Sequence, residues 1–435
     1  MAPKNFEGES VTITQTVQLL RESSTWQAPL QLRKARLWYT WDLGFPALYE
    51  VEVSLILDGQ EIDRAAQTIG FRQIERLEGW ETRLNGIRFF QRGANYLSEQ
   101  LLSTMTFERY QRDLELIVGA NLNTIHPFAV VEKHEFYDLC DQYGVLVYQD
   151  IPIWLQASNS GDLVRRAVQQ VNELISQYGH HPSICIWNFG SQPSVANFTK
   201  LASAMACAAR ELDPCRIIHQ ANSILDPTGK RYDPLGDFFW KDETIQDFKT
   251  RFDWRVDTHQ YYGWYYQKDF RELYCLPKEY FQLVTEYGAQ ALPEEEFLKR
   301  IIPKEGLFPP DWRYYTIRNF QPEHQFDYIP QPTSLEKMIL DSQRYQAKFI
   351  QFHTEYYRKH KFNPCNGMHY FNFNDCWPAI SWSVIDYNRK PKLGYQALKM
   401  ANAPIQVFCE FNEIYNKDDQ NIELWLVNDF PHDYK

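Results

Sequence analysis

Two short segments of this 435-residue chain carry side chains suited to breaking bonds. Residues 282–293 (QLVTEYGAQALP) place a carboxylate, Glu286, at the end of an apolar run, and residues 183–194 (SICIWNFGSQPS) place an amide, Gln192, in a comparable position. Two carboxyl groups about 5–5.5 Å apart can split a glycosidic bond with retention of configuration, one attacking while the other gives and then takes a proton. Here one member of such a pair is an amide. It can hydrogen-bond a glycosidic oxygen, but it has no acidic proton to give and cannot take one from water. A lone Glu at a strand end also has a bland account, a buried salt bridge, which strand position alone leaves open.

Chemistry shared between distant segments requires a scaffold that ends several strands at one place. From about residue 85 the apolar runs become short and β-branched, with amphipathic helical stretches between them. Strands are predicted over 88–95, 122–126, 145–150, 183–188, 216–220, 254–259, 282–286 and 367–374. Helical patterns fill 107–118, 133–143, 161–178 and 335–359. Eight strands alternating with helices give an α/β fold, a (β/α)8 TIM barrel, whose catalytic groups come from the C-terminal strand ends. Asn95, His126, Asp150, Gln192, His259, Glu286 and Asp375 meet that positional criterion. Residues 227–253 and 293–334 are too long for ordinary turns, and insertions of this kind sit on the active face.

The flanks read differently. Residues 11–72 alternate in bursts (VTITQTVQL, ALYEVEVSLIL, AAQTIGFRQI) with turn-like clusters at 43–46 and 58–60, the pattern of an antiparallel β-sandwich. About five strands are visible there, fewer than the seven or so of a complete immunoglobulin-like domain. After Pro404 the alternation returns (IQVFCEFNE, NIELWLVND), enough for two strands and too few to stand alone. The expected organisation is a partial immunoglobulin-like β-sandwich over 1–78, a TIM-barrel catalytic-type domain over 79–403, and the start of a C-terminal β-sandwich over 404–435. The chain thus reads as a piece, or a shortened version, of a longer architecture.

Composition narrows the partners. Aromatic residues make up 16%, a content that suits stacking on sugar faces as well as filling a large core. The net charge of −11 comes without a basic stripe, which argues against nucleic acid and anionic membrane. The eight cysteines form no CxxC pair and lie mostly in apolar runs, so they read as buried thiols of a reducing compartment. No apolar run reaches about 18 residues and no charged-then-apolar leader is present, so a cytoplasmic location without membrane contact is expected. No metal or other cofactor is implied.

The longer motifs resemble glycoside hydrolase family 2, in its β-mannosidase and exo-β-glucosaminidase branch. They are NGIRFFQRGANY (85–96), GANLNTI (119–125), FYDLCDQYGVLVYQDIP (136–152), HPSICIWN (181–188), TEYGAQALP (285–293) and NDCWPAISWSVIDYNRKPK (374–392), in the family's order. The N-terminal LWYTWDLGFPALYEVEVSL and the final PIQVFCEFNE are similar to the immunoglobulin-like domains that flank the barrel there; the jelly-roll domain expected before them is absent from this chain. The resemblance implies that Glu286 is the nucleophile and that His259, in THQYYGW, Asp150 and Asn95 are substrate-side residues. It places Trp377 and Trp382 in the segment lining a pocket for a β-linked pyranose.

The departures are equally specific. Where the family reads Trp-x-x-x-Asn-Glu, this chain has Trp187-Asn188-Phe189-Gly190-Ser191-Gln192. Ser191 replaces the Asn that would hold the sugar's 2-hydroxyl, and Gln192 replaces the acid/base. His126 stands where Arg is usual, and Tyr370-Phe371-Asn372-Phe373 where a Trp-Gln pair is usual. Three readings follow: a retaining exo-β-glycoside hydrolase of β-mannosidase type, impaired by Gln192; a non-catalytic carbohydrate-binding pseudoenzyme; and a fragment with no independent role. In the first, Asp150, His126 or His259 replaces the missing acid, or the leaving group needs little protonation. The partner is a β-linked glycoside, with the sugar and the oligomeric state left open.

Overall fold

In the computed structural model the described residues are 1–18, 21, 25–154, 160–191, 195–219, 257–265, 269–275, 281–410 and 423–433. Eight parallel strands form one sheet: Gln91–Tyr96, Thr124–Pro127, Leu146–Asp150, Ile184–Asn188, Ile217–His219, Asp257–His259, Leu283–Tyr287 and Gly367–Tyr370. Each neighbours the next in sequence order through the fifth and again from the sixth to the eighth, and the eighth pairs with the first. Every predicted barrel strand has a described counterpart displaced by a few residues at most, because short β-branched runs between amphipathic helices have few other ways to be buried.

The helices begin and end where local chemistry dictates. Thr106 accepts from the Arg109 amide (3.3 Å) at the start of Phe107–Gly119, Ser160 caps Gly161–Tyr178, and Ser334 caps Leu335–Lys359. His134–Tyr143 stops at Gly144, whose φ of 67° and the nearness of the Trp41 amide, 2.7 Å from where a Cβ would sit, leave room only for glycine.

One end of the barrel is plugged. Trp38, Trp80, Leu146, Tyr148, Ile186, Ile217 and Leu283 form an apolar cluster near the strand starts, so polar side chains can gather only at the C-terminal ends. A second glycine makes room inside. Any Cβ on Gly93 would collide with the ring of His369, which occupies that space from the eighth strand.

The flanking strands form small antiparallel sheets. Tyr49–Leu57 and Gln60–Ile69 make a hairpin whose turn, Asp58 and Gly59, has positive φ at both positions (51° and 80°), and Ala2–Pro3 adds a short edge. Residues 11–18, expected as a strand, form none, and Ile13 is 45% exposed. Their alternation lacks a paired neighbour, and period-2 patterning cannot supply one. Ile405–Glu410 pairs with Glu423–Asn428. Asp429 fastens this C-terminal sheet to the barrel through Arg358 (2.8 Å), Lys361 (2.7 Å) and Arg92, which also holds Asp42 from the N-terminal segment (2.7 Å).

The insertion after the seventh strand is more ordered than a loop. Glu295–Ile301, Lys304–Leu307, Trp312–Thr316 and Pro322–Gln325 are short helices, and the first three share an apolar cluster, Leu292, Leu298, Ile302, Leu307, Tyr315 and Phe320, with Met338 of the long helix. The other predicted insertion, 227–253, lies outside the described residues. Among the cysteines Cys140, Cys185 and Cys365 are buried as expected, but Cys207, Cys215 and Cys409 are exposed, because each sits on the outer face of its element or in a turn. No described helix is long and apolar enough to cross a membrane.

Candidate active site

Strand register gathers the candidate side chains. His126 lies opposite Asn95, Asn188 opposite Asp150, and His259 opposite Glu286, all at the C-terminal ends of their strands. Six side chains that are distant in sequence therefore share one layer of the barrel. Their carboxylates behave differently on the two sides.

On the side of strands six and seven, Glu286 is almost fully buried. Its Oε2 accepts a hydrogen bond from the Tyr261 hydroxyl at 2.8 Å and lies 3.2 Å from Nδ1 of His259. Burial pushes the His259 imidazole down to about 3. It is therefore neutral and offers Glu286 an N–H rather than a full charge. Two neutral donors on one oxygen orient a carboxylate without neutralising it.

On the side of strands two to four, Asp150 is fully buried and takes three donated hydrogen bonds. Oδ1 accepts from Asn188 Nδ2 (2.6 Å) and from His126 Nε2 (2.7 Å), and Oδ2 from the Ala129 amide (2.9 Å). The carboxylate fixes the His126 tautomer with its proton on Nε2, which leaves Nδ1 as an acceptor. Among the described residues that Nδ1 has no hydrogen-bond partner, and neither do Oδ1 of Asn95, Oδ1 of Asn188 or Oγ of Ser191, all of them sealed from solvent. Asn95 spends its amide protons on the Thr285 and Tyr370 carbonyls (2.9 and 3.4 Å). Ser191 is buried, and its amide donates to Ile153 (3.0 Å). Gln192 lies outside the described residues.

The mouth is aromatic. The Trp382 ring packs 5.7 Å from Phe371 and 5.8 Å from Tyr265. Phe371 in turn meets Phe128 at 5.6 Å, and Phe128 meets Trp154 at 6.1 Å. Trp377 is set apart from this row, partly buried under the Arg318 guanidinium at 5.7 Å. Asp375 turns away into a structural role: its two oxygens accept from the Ser381 and Ser383 hydroxyls (2.5 and 2.8 Å), and burial raises its carboxyl above the usual range against the pull of Lys392.

Sequence reasoning passed over four residues here. Tyr261 stands two positions after His259 in THQYYGW, and that spacing was its only sequence signal. Phe128 and Trp154 follow strand ends and read as ordinary loop aromatics. His369 sits in an apolar run, with both ring nitrogens buried and without a hydrogen-bond partner among the described residues, and burial drives it far below the usual imidazole range. Among the described residues one carboxylate–imidazole group comes close enough to hold a metal ion, Asp138, Asp141 and His181. Asp141 is already engaged there by His181 Nδ1 (2.7 Å) and the Ser183 amide (2.9 Å), an arrangement that pins the start of the fourth strand.

Comparison with known proteins bears on this layer. Residues 77–375 match the TIM barrel domain of glycosyl hydrolases family 2, and residues 2–72 match a further family 2 domain. The chain is 27% identical over 420 residues to beta-mannosidase B of Aspergillus fumigatus, covering 89% of this chain and 48% of that protein. Beta-mannosidase B of Thermothelomyces thermophilus is 25% identical, with 92% of this chain and 50% of that protein covered. Among solved structures, the beta-D-mannosidase of Dictyoglomus thermophilum superposes with a TM-score of 0.76 at 22% identity, over 91% of this chain and 49% of that one. An exo-chitosanase of Amycolatopsis orientalis gives 0.67 at 16% identity, over 89% and 46%. The chain spans about half the length of the curated relatives it matches.

Proposed function

The chain belongs to glycosyl hydrolase family 2, and from that premise we propose that it is a retaining exo-β-glycoside hydrolase of β-mannosidase type, slowed by the loss of its acid/base. The observation that carries this reading is Glu286, buried at the mouth of the barrel with Tyr261 and His259 directed at one oxygen. In the first step Glu286 attacks the anomeric carbon and the aglycone leaves; in the second, water displaces Glu286. Tyr261 and His259 hold the carboxylate in line and take up the charge that returns to it. Trp382, at the aromatic mouth, backs the sugar ring. Gln192 and Ser191 stand in for the acid/base and for its asparagine neighbour.

Asp150 is not the substitute acid in this scheme. Three donors occupy it, so it orients His126 and Asn188. Neutral His259 works on the nucleophile's side. Departure of the aglycone, which lacks its acid, and attack of water, which lacks its base, are therefore both slowed, and loss of general acid–base help costs roughly 10²–10⁴-fold.

Incubation with 2,4-dinitrophenyl β-mannoside, followed by proton NMR, tests the reading. The expected result is slow release of dinitrophenol with β-mannose as the first sugar product. First appearance of α-mannose would overturn retention. Sugar binding without release, across manno, gluco and galacto substrates, would favour the carbohydrate-binding pseudoenzyme.

A further inference from the structure

We propose that Tyr265 is a positioning residue for the nucleophile, and that the insertion of residues 293–334 acts on the reaction through it. Gln321 and His324 hold the Tyr265 ring, Tyr265 braces Tyr261, and Tyr261 orients Glu286. The inference deepens the glycosidase reading above and depends on it.

The first support is a chain of side-chain contacts that runs from the insertion to the carboxylate. His324, in the short helix Pro322–Gln325, meets the Tyr265 ring edge to face, with centroids 5.2 Å apart and planes at 83°. The side-chain amide of Gln321, the residue that precedes this helix, hydrogen-bonds the Tyr265 hydroxyl. Tyr265 then packs on Tyr261 at 5.2 Å and 67°, and on Trp382 at 5.8 Å. Tyr261 donates to Glu286 Oε2 at 2.8 Å. Tyr265 also lies close enough to feel the carboxylate: burial raises its phenol above the usual tyrosine range, and the charge of Glu286 adds to the rise.

The second support is that the insertion is registered against both sides of the bond it would set. Toward the nucleophile, the Gln321 amide donates to Oε1 of Gln290 (2.8 Å), four residues after Glu286, and Gln290 Nε2 donates to the Asn319 carbonyl (2.7 Å). Toward the phenol, the Tyr328 hydroxyl donates to the Trp264 carbonyl (3.3 Å), and His324 lies 5.8 Å from the Trp264 ring. Residues 319–328 therefore hold the segment that carries Glu286 and the turn that carries Tyr261 in one frame.

The physical consequence concerns direction. A tyrosine hydroxyl moves with its ring, so its bond to a carboxylate is only as well aimed as the ring is held. Edge-to-face contacts from Tyr265 limit that swing, and Gln321 and His324 limit the swing of Tyr265 itself. A misaimed phenol costs most when charge returns to Glu286, which makes the effect one on turnover rather than on binding.

The test measures kcat and KM for 2,4-dinitrophenyl β-mannoside with the unaltered chain, Tyr265→Ala, Tyr265→Phe, His324→Ala, Tyr261→Phe and Tyr261→Phe combined with Tyr265→Ala. Tyr265→Ala should lower kcat roughly threefold to tenfold with KM nearly unchanged, and Tyr265→Phe, which keeps the ring, should restore most of it. His324→Ala should lower kcat in the same way by a smaller factor. In the Tyr261→Phe background Tyr265→Ala should cost less than about twofold, because the hydroxyl it aims is already gone. Additive losses, a loss confined to KM, Tyr265→Phe as poor as Tyr265→Ala, or an unchanged kcat in His324→Ala would overturn the inference while leaving the glycosidase reading intact. No turnover by the unaltered chain would overturn both.

Discussion

The two sides of the barrel mouth solve opposite problems with similar residues. Across strands six and seven, a His and a Tyr aim their protons at a carboxylate, and the carboxylate remains the centre of the arrangement. Across strands two to four, a His and an Asn also aim protons at a carboxylate, but there the carboxylate only orients them, and their other ends find no hydrogen-bond partner among the described residues. On the proposed reading, one side attacks and the other orients its own polar groups. A catalytic pair therefore cannot be read from the presence of two buried acids; which groups surround each acid decides what it can do.

The difference can be broken most directly by trading residues between the sides. Glu286→Gln should reduce turnover of dinitrophenyl mannoside by at least about 10⁴-fold, while Gln192→Ala should change it by less than about tenfold, because an amide supplies no proton to lose. Comparable losses from the two variants would show that the sides are not unequal. Next, Ser191→Asn combined with Gln192→Glu should raise kcat/KM for phenyl mannoside by roughly 10²–10⁴-fold and hardly affect the dinitrophenyl substrate. No gain would mean that His126 and its neighbours also keep the second side inactive.

A smaller effect isolates the attacking side. Tyr261→Phe removes one hydrogen bond to a charged group, worth about 1.5–3 kcal/mol, so kcat should fall roughly 10- to 100-fold. An unchanged kcat would show that the Tyr261 hydrogen bond does not orient the nucleophile. The smallest effect concerns pH. His259 and His353 are both pushed down to about 3 by burial, so between pH 6.5 and 3 the unfolded chain binds more protons than the folded one. Stability should then fall as pH drops below about 6.5, and His259→Asn should reduce that slope, read from urea midpoints between pH 6.5 and 4.5, by roughly one proton. Equal slopes would show that His259 is already charged beside Glu286.

Much of this was legible in the chain because local period and strand-end chemistry leave local traces. The helix over 161–178 and the carboxylate at 286 needed only a window of neighbours. Residues 11–18 show the limit: their alternation is as clear as that of Tyr49–Leu57, but pairing is a property of two segments, and only the second has its partner one turn away. The attachment of His126 to Asp150 rather than to the nucleophile side, and the place of His369 over Gly93, depend on volumes fixed across the barrel. Sequence spacing does not record those volumes.

The central claim is that this pocket keeps a working nucleophile without its acid. Incubation with 2-deoxy-2-fluoro-β-mannosyl fluoride, whose leaving group needs no proton, followed by mass measurement of the digested chain, tests it. One fluorosugar should be found on the peptide containing Glu286, and it should persist because the fluorine slows the second step. An unlabelled Glu286 peptide, or a label on any other residue, would contradict the account.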